Sequence, residues 1–129
     1  MVALFGINQP RTGHYRALLR RAGEELWSLA TTWPCVTEAS HLLDVPQRYT
    51  LLRWVASSGV AVFPFAQEEL DAMVGLMQRY TESPRTEMDF ADASLVWLAA
   101  DSGVRSVMTM DVRDFSRYRL PDGGRFELL

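Results

Sequence analysis

Residues 91–100 (ADASLVWLAA) form a segment that is apolar on nearly every side of the helix it would make. A surface helix keeps one polar face, whereas a helix that is apolar all round belongs at the centre of a domain. The rest of the chain must therefore supply layers that cover it. It alternates helical patterns with short apolar runs. Tyr15, Leu18, Leu19 and Ala22 recur at helical spacing within residues 11–25, which predicts a first helix. Residues 26–31 read as a short strand. Pro34 suits the first turn of a helix over residues 34–43, and Pro46 opens another over residues 46–57 that Gly59 ends. Residues 60–65 (VAVFPF) read as a buried strand, and residues 67–80 as a helix with Leu70, Met73, Val74, Met77 and Tyr80 inward. Ser83-Pro84 marks a loop. The central helix starts near Asp89 and ends at Gly103. A strand follows over residues 106–110, then a helical turn opened by Asp111, a turn at residues 122–124, and an edge strand over residues 125–129.

Apolar strands separated by helices indicate an α/β fold, a mostly parallel sheet with helices on both faces. At 129 residues one domain with one core is expected. A composition 48% hydrophobic and 22% charged fits a globular protein. No stretch approaches the ~20 continuous apolar residues of a membrane span. No signal segment is recognised, so a cytoplasmic location is the expectation. The lone Cys35 excludes an intrachain disulfide and a cysteine-based zinc site. Net charge is −3, so nucleic-acid contact would need local arginines or a metal that neutralises phosphate. All thirteen basic residues are Arg. Phosphate-loop and Schiff-base chemistries, which need a lysine, are disfavoured. No G-x-S-x-G occurs, which argues against an α/β hydrolase with a nucleophile elbow.

Active sites of parallel α/β sheets lie just beyond the carboxyl ends of the strands. Asp111 directly follows a strand, Asp92 falls in the first turn of a helix, and Glu38 falls early in the helix after residues 26–31. Carboxylates gathered a few ångströms apart repel unless a cation lies between them. An oxygen-only donor set favours Mg²⁺ or Mn²⁺. Each aspartate has a simpler use as well. At a helix start it caps the helix, stabilising by ~1 kcal/mol. Asp89 reads as a cap or an accessory metal group, and Asp114 as a surface charge or a completing ligand. Thr109 serves the strand end, either structurally or by bonding a carboxylate. Arg11, Arg113, Arg117 and Arg119 are either solvated surface or phosphate contacts. His14 and His41 have no metal-pair spacing. Trp27, Trp33, Trp54 and Trp97 read as core or interface anchors, with Trp54 and residues 46–57 a candidate partner surface.

The motif order resembles a PIN domain, in particular its VapC-like toxin branch. VTEASHLL (residues 36–43) resembles the family's second motif, with Glu38 as its acid. ADASLVWLA (residues 91–99) resembles the third, with Asp92, and TMDVRDF (residues 109–115) the fourth, with Asp111. The resemblance implies a three-layer α/β/α fold about a central, mostly parallel sheet. It implies an Mg²⁺- or Mn²⁺-dependent ribonuclease, with Glu38, Asp92 and Asp111 as catalytic acids and metal ligands, joined by Asp89 and Asp114. It further implies an RNA substrate, a small antitoxin chain as inhibitor and a homodimer. The family's first motif, a strand ending in aspartate, has no counterpart. MVALF (residues 1–5) resembles only the apolar stretch after it, so the first strand is missing. The expectation is that the natural protein begins upstream, and that this chain, lacking the first acid, binds metal weakly and is an impaired ribonuclease. The alternative is a catalytically inactive PIN-like module that binds RNA or a protein.

Overall fold

The computed structural model describes residues 11–83 and 86–129, and the chain divides into two compact units, Met1–Phe63 and Pro64–Leu129. The opening segment, residues 1–7, lies outside the described residues. The first unit contains α1 (Thr12–Glu24), β1 (Ala30–Thr32), α2 (Trp33–Leu42), α3 (Val45–Ala56) and β2 (Ala61–Phe63). The second begins with a 3₁₀ turn (Gln67–Glu69), followed by α4 (Leu70–Tyr80), α5 (Phe90–Ser102), β3 (Ser106–Val107), α6 (Val112–Arg117) and β4 (Glu127–Leu128). No helix among the described residues is long and apolar enough to cross a membrane.

The fold is mixed α/β with parallel pairing, as expected. The described strands make two separate two-stranded sheets, one within each unit. β1 runs parallel to β2, with Thr31 opposite Val62, and β3 runs parallel to β4, with Ser106 opposite Glu127. The last strand, expected at an edge, therefore pairs with β3 in parallel.

Strands are shorter than the apolar runs suggest, and the first case has a clear cause. Leu26 adopts a left-handed conformation, φ 57°. Its N–H donates to Gly23 O, and the Trp27 N–H donates to Ala22 O at 2.8 Å. These are the two bonds of a Schellman closure. Leu26 and Trp27 thus finish α1, and β1 starts only at Ala30. The same closure ends α3, with bonds from Ser58 N–H to Val55 O and from Gly59 N–H to Trp54 O. Here the left-handed residue is Ser58 (φ 62°) rather than the expected Gly59. Gly59 is required for another reason: a Cβ there would run into the Trp54 indole. Gly103 (φ 75°) caps α5 as expected. Pro34 and Pro46 occupy the first turns of α2 and α3.

In the second unit α5 is buried on several sides through Ala91, Ala93, Ser94, Val96, Leu98 and Ala99. Val96 and Ala93 pack with Met73, Met88, Phe115, Tyr118 and Leu120 in one core. A fully buried valine or methionine contributes roughly 1.5–3 kcal/mol. Trp97 donates its Nε1–H to Glu69 Oε2 at 3.1 Å and meets Phe65 edge-on at 5.6 Å. The indole thus ties α5 to the 3₁₀ turn. In the first unit a smaller core gathers Ala39, Leu43 and Leu51, with Trp54 and Val55 against it.

Candidate metal centre

Two helix starts of the second unit repeat one local pattern. Asp89 caps α5, and its Oδ1 accepts the Asp92 N–H at 2.8 Å. Asp111 caps α6, and its Oδ1 accepts the Asp114 N–H at 3.3 Å. Each pair is Asp-x-x-Asp, so an acid sits both at the cap and in the first turn. The N–H groups of each helix start favour negative charge there. Thr109 fixes the approach to α6, its Oγ1 accepting the Asp111 N–H at 3.0 Å.

Asp92, Asp111 and Asp114 each offer a carboxylate oxygen, and these oxygens lie within 4.8 Å of one another. Asp111 is exposed, whereas Asp92 and Asp114 are half-buried. Burial pushes the Asp111 carboxyl above its ordinary value of 3.8. The hydrogen bond and charge of Asp114 and the charge of Asp89 act the same way, while the bond from the Asp114 backbone N–H opposes them. Asp89 thus acts on the group as a helix cap and a nearby charge. The group found in the structure consists of the other three acids.

The centre has a buried wall. Tyr118, fully buried at the C-terminal cap of α6, donates its hydroxyl to Asp92 Oδ2 at 2.8 Å. Burial first, then the bond to Asp92, pushes this phenol well above the ordinary range. Tyr118 meets Tyr80 edge-on at 5.2 Å and Phe115 at 5.1 Å. Arg117, the preceding residue, donates through one guanidinium nitrogen to Tyr80 O at 3.2 Å and to Asp114 Oδ1 at 3.4 Å.

The other sequence candidates are distributed as follows. Glu38 belongs to the first unit, on α2, where it is exposed. Arg117 and Arg119 were candidates for phosphate contact. Arg117 is held as just described, and Arg119 donates to Ser116 O at 2.7 Å and Tyr118 O at 2.9 Å. Both reach backbone carbonyls near the C-terminal end of α6 or on α4. Arg113 is exposed on α6. Arg11 precedes α1 with its guanidinium 5.5 Å from the Tyr15 ring centre. Trp54, half-buried on α3, lies against Gly59. An open apolar groove in the first unit, lined by Trp33, Leu52, Val55, Val60 and Val62, has no acid or base in its wall.

Sequence reasoning did not single out Tyr118. It lies 26 residues from Asp92, and no local spacing links them. Its only signal is its place directly after the VRDFSR helix, where an aromatic can turn back under the site.

The donor set fits a hard divalent cation. It is all oxygen, and three carboxylates that repel one another are within reach of one ion, with Arg117 meeting Asp114 from one side. No protein-family model matches the chain, and no curated protein matches it in sequence.

Proposed function

We propose that this chain is a divalent-metal-dependent ribonuclease of PIN-like, VapC-like type. The observation that carries the reading is the convergence of Asp92, Asp111 and Asp114 at two helix starts, with oxygens within 4.8 Å. Their order along the chain agrees with the motifs that suggested the family. The three-layer arrangement about one sheet is part of the proposal, as is the role as a catalytic acid that the resemblance gives Glu38. Asp92, Asp111 and Asp114 would hold Mg²⁺ or Mn²⁺. Such an ion lowers the pKa of bound water and offsets charge on a phosphodiester. The chain's own residues do the rest. Asp92 and Asp114 are held by Tyr118 and Arg117, which fixes two of the three donors. Exposed Arg113, between Asp111 and Asp114 in sequence, can meet an RNA phosphate, as can Arg11. The toxin role, a small antitoxin partner, a homodimer and a cytoplasmic location complete the reading.

A protein-binding module without catalysis is the second reading. Its support is a stripe of exposed apolar residues on α3, Val45, Tyr49 and Leu52, at helical spacing, with Leu42 exposed just before it.

Mn²⁺ titration by calorimetry, paired with an RNA cleavage assay, tests the first reading. We expect weak binding, because three carboxylates leave most of the coordination shell to water. We expect Mn²⁺-dependent cleavage that Asp92→Asn abolishes. Undiminished cleavage by that variant removes Asp92 from the mechanism. Absence of both binding and cleavage favours the second reading.

A further inference from the structure

The hydroxyl of Tyr118 is a buried side-chain donor on a carboxylate of the acidic group. An aspartate's terminal torsion is broad, so a carboxylate left to itself samples many orientations. A ligand group performs best when a fixed neighbour holds it. Tyr118 is such a neighbour. It is fully buried, packed edge-on between Tyr80 and Phe115, and only 2.8 Å from Asp92 Oδ2. Its ring cannot turn away without disrupting that aromatic cluster. Asp92 itself stands at the start of α5, so its backbone is also fixed, by the bond to Asp89 at 2.8 Å.

We propose that Tyr118 is a positioning residue of the metal centre, its hydroxyl fixing the Asp92 carboxylate in the orientation that converges with Asp111 and Asp114. The inference rests on the metal-centre reading above. It differs from a purely structural role, in which Asp92 merely satisfies a buried phenol. A structural hydroxyl matters for stability alone, whereas a positioning hydroxyl also sets cation affinity.

The test uses the full chain and Mn²⁺ itself. Mn²⁺ affinity is measured by titration, with free ion followed by electron paramagnetic resonance, for wild type, Tyr118→Phe, Tyr80→Phe and Asp92→Asn. Tyr80→Phe is the control. Its hydroxyl lies in the same aromatic cluster but accepts the Arg119 N–H at 3.0 Å. We expect Asp92→Asn to lose binding, Tyr118→Phe to bind about tenfold or more weakly, and Tyr80→Phe to bind like wild type. Melting temperatures confirm that each variant is folded. If wild type binds and Tyr118→Phe binds equally well or more tightly, the positioning role is wrong and the metal centre stands. Equal weakening by Tyr80→Phe also overturns it, since loosening of the cluster would then be the cause. If wild type binds no Mn²⁺, the metal centre and this inference fall together. Ultraviolet resonance Raman of the wild-type tyrosines gives an arm that does not depend on the variant folding. A hydroxyl hydrogen-bonded to a carboxylate both before and after Mn²⁺ addition supports the role, and loss of that bond at saturating Mn²⁺ overturns it.

Discussion

Replacing Asp111 by Asn should stabilise the metal-free protein. The substitution keeps the helix cap, since Asn and Asp are comparable caps and either can accept the Asp114 N–H. What it removes is charge. Two unit charges 4.8 Å apart repel by about 0.9 kcal/mol at the dielectric of water, and several-fold more in a less polar setting. Asp111 faces Asp92 and Asp114 at up to that distance. It is exposed, so solvent screening keeps the total near the low end, about 1 kcal/mol. For a chain of this size that is roughly 3–5 °C in melting temperature. The pH dependence has a definite sign. The Asp111 carboxyl lies above 3.8 in the fold, so the folded state holds its proton more tightly than the unfolded chain does. Wild-type stability from this group is present in acid and is lost as pH rises through the folded value. The advantage of Asp111→Asn should therefore appear above that value and vanish below pH 3.8. It should also shrink in high salt. Added Mn²⁺ should reverse the order, because a cation bound only by the folded wild type raises its stability by mass action. Thermal melts at neutral and acid pH, at low and high salt, with and without Mn²⁺, check each point. A variant no more stable than wild type at neutral pH and low salt would refute the crowding of these carboxylates.

Other expectations concern the backbone. Leu26→Gly and Ser58→Gly should each stabilise by about 0.5–1 kcal/mol, because glycine removes left-handed strain and gives back part of the gain as chain entropy. Chemical denaturation measures this, and a loss at either site argues against its left-handed conformation. Gly59→Ala should destabilise by about 1–3 kcal/mol, since its Cβ meets the Trp54 indole and must displace it. Trp54 fluorescence should shift with the midpoint, and a neutral effect would show that the indole is free to move.

Much of the fold was legible along the chain. Periodicity or an opening residue placed the described helices, and Pro34, Pro46 and Gly103 marked their ends through local chemistry that needs no tertiary partner. Asp89 and Asp111 were readable as caps for the same reason. Strands were less legible. Apolar runs such as residues 26–31 look alike whether they extend or close a helix, and at Leu26 the backbone bonds to Ala22 and Gly23 decided. For Arg117 and Arg119 the sequence shows their charge but not the carbonyls they reach.

By itself, then, the sequence determined the helices, the two Asp-x-x-Asp starts and the oxygen-only character of any cation site. These depend on residue type and short spacing. Only the tertiary structure decided that Asp92 meets Asp111 and Asp114, that Asp89 remains a cap, and that Tyr118 lies behind Asp92. Those contacts join residues from separate elements of the second unit, and packing of α5 against the aromatic cluster brings them together. No local pattern encodes that distance.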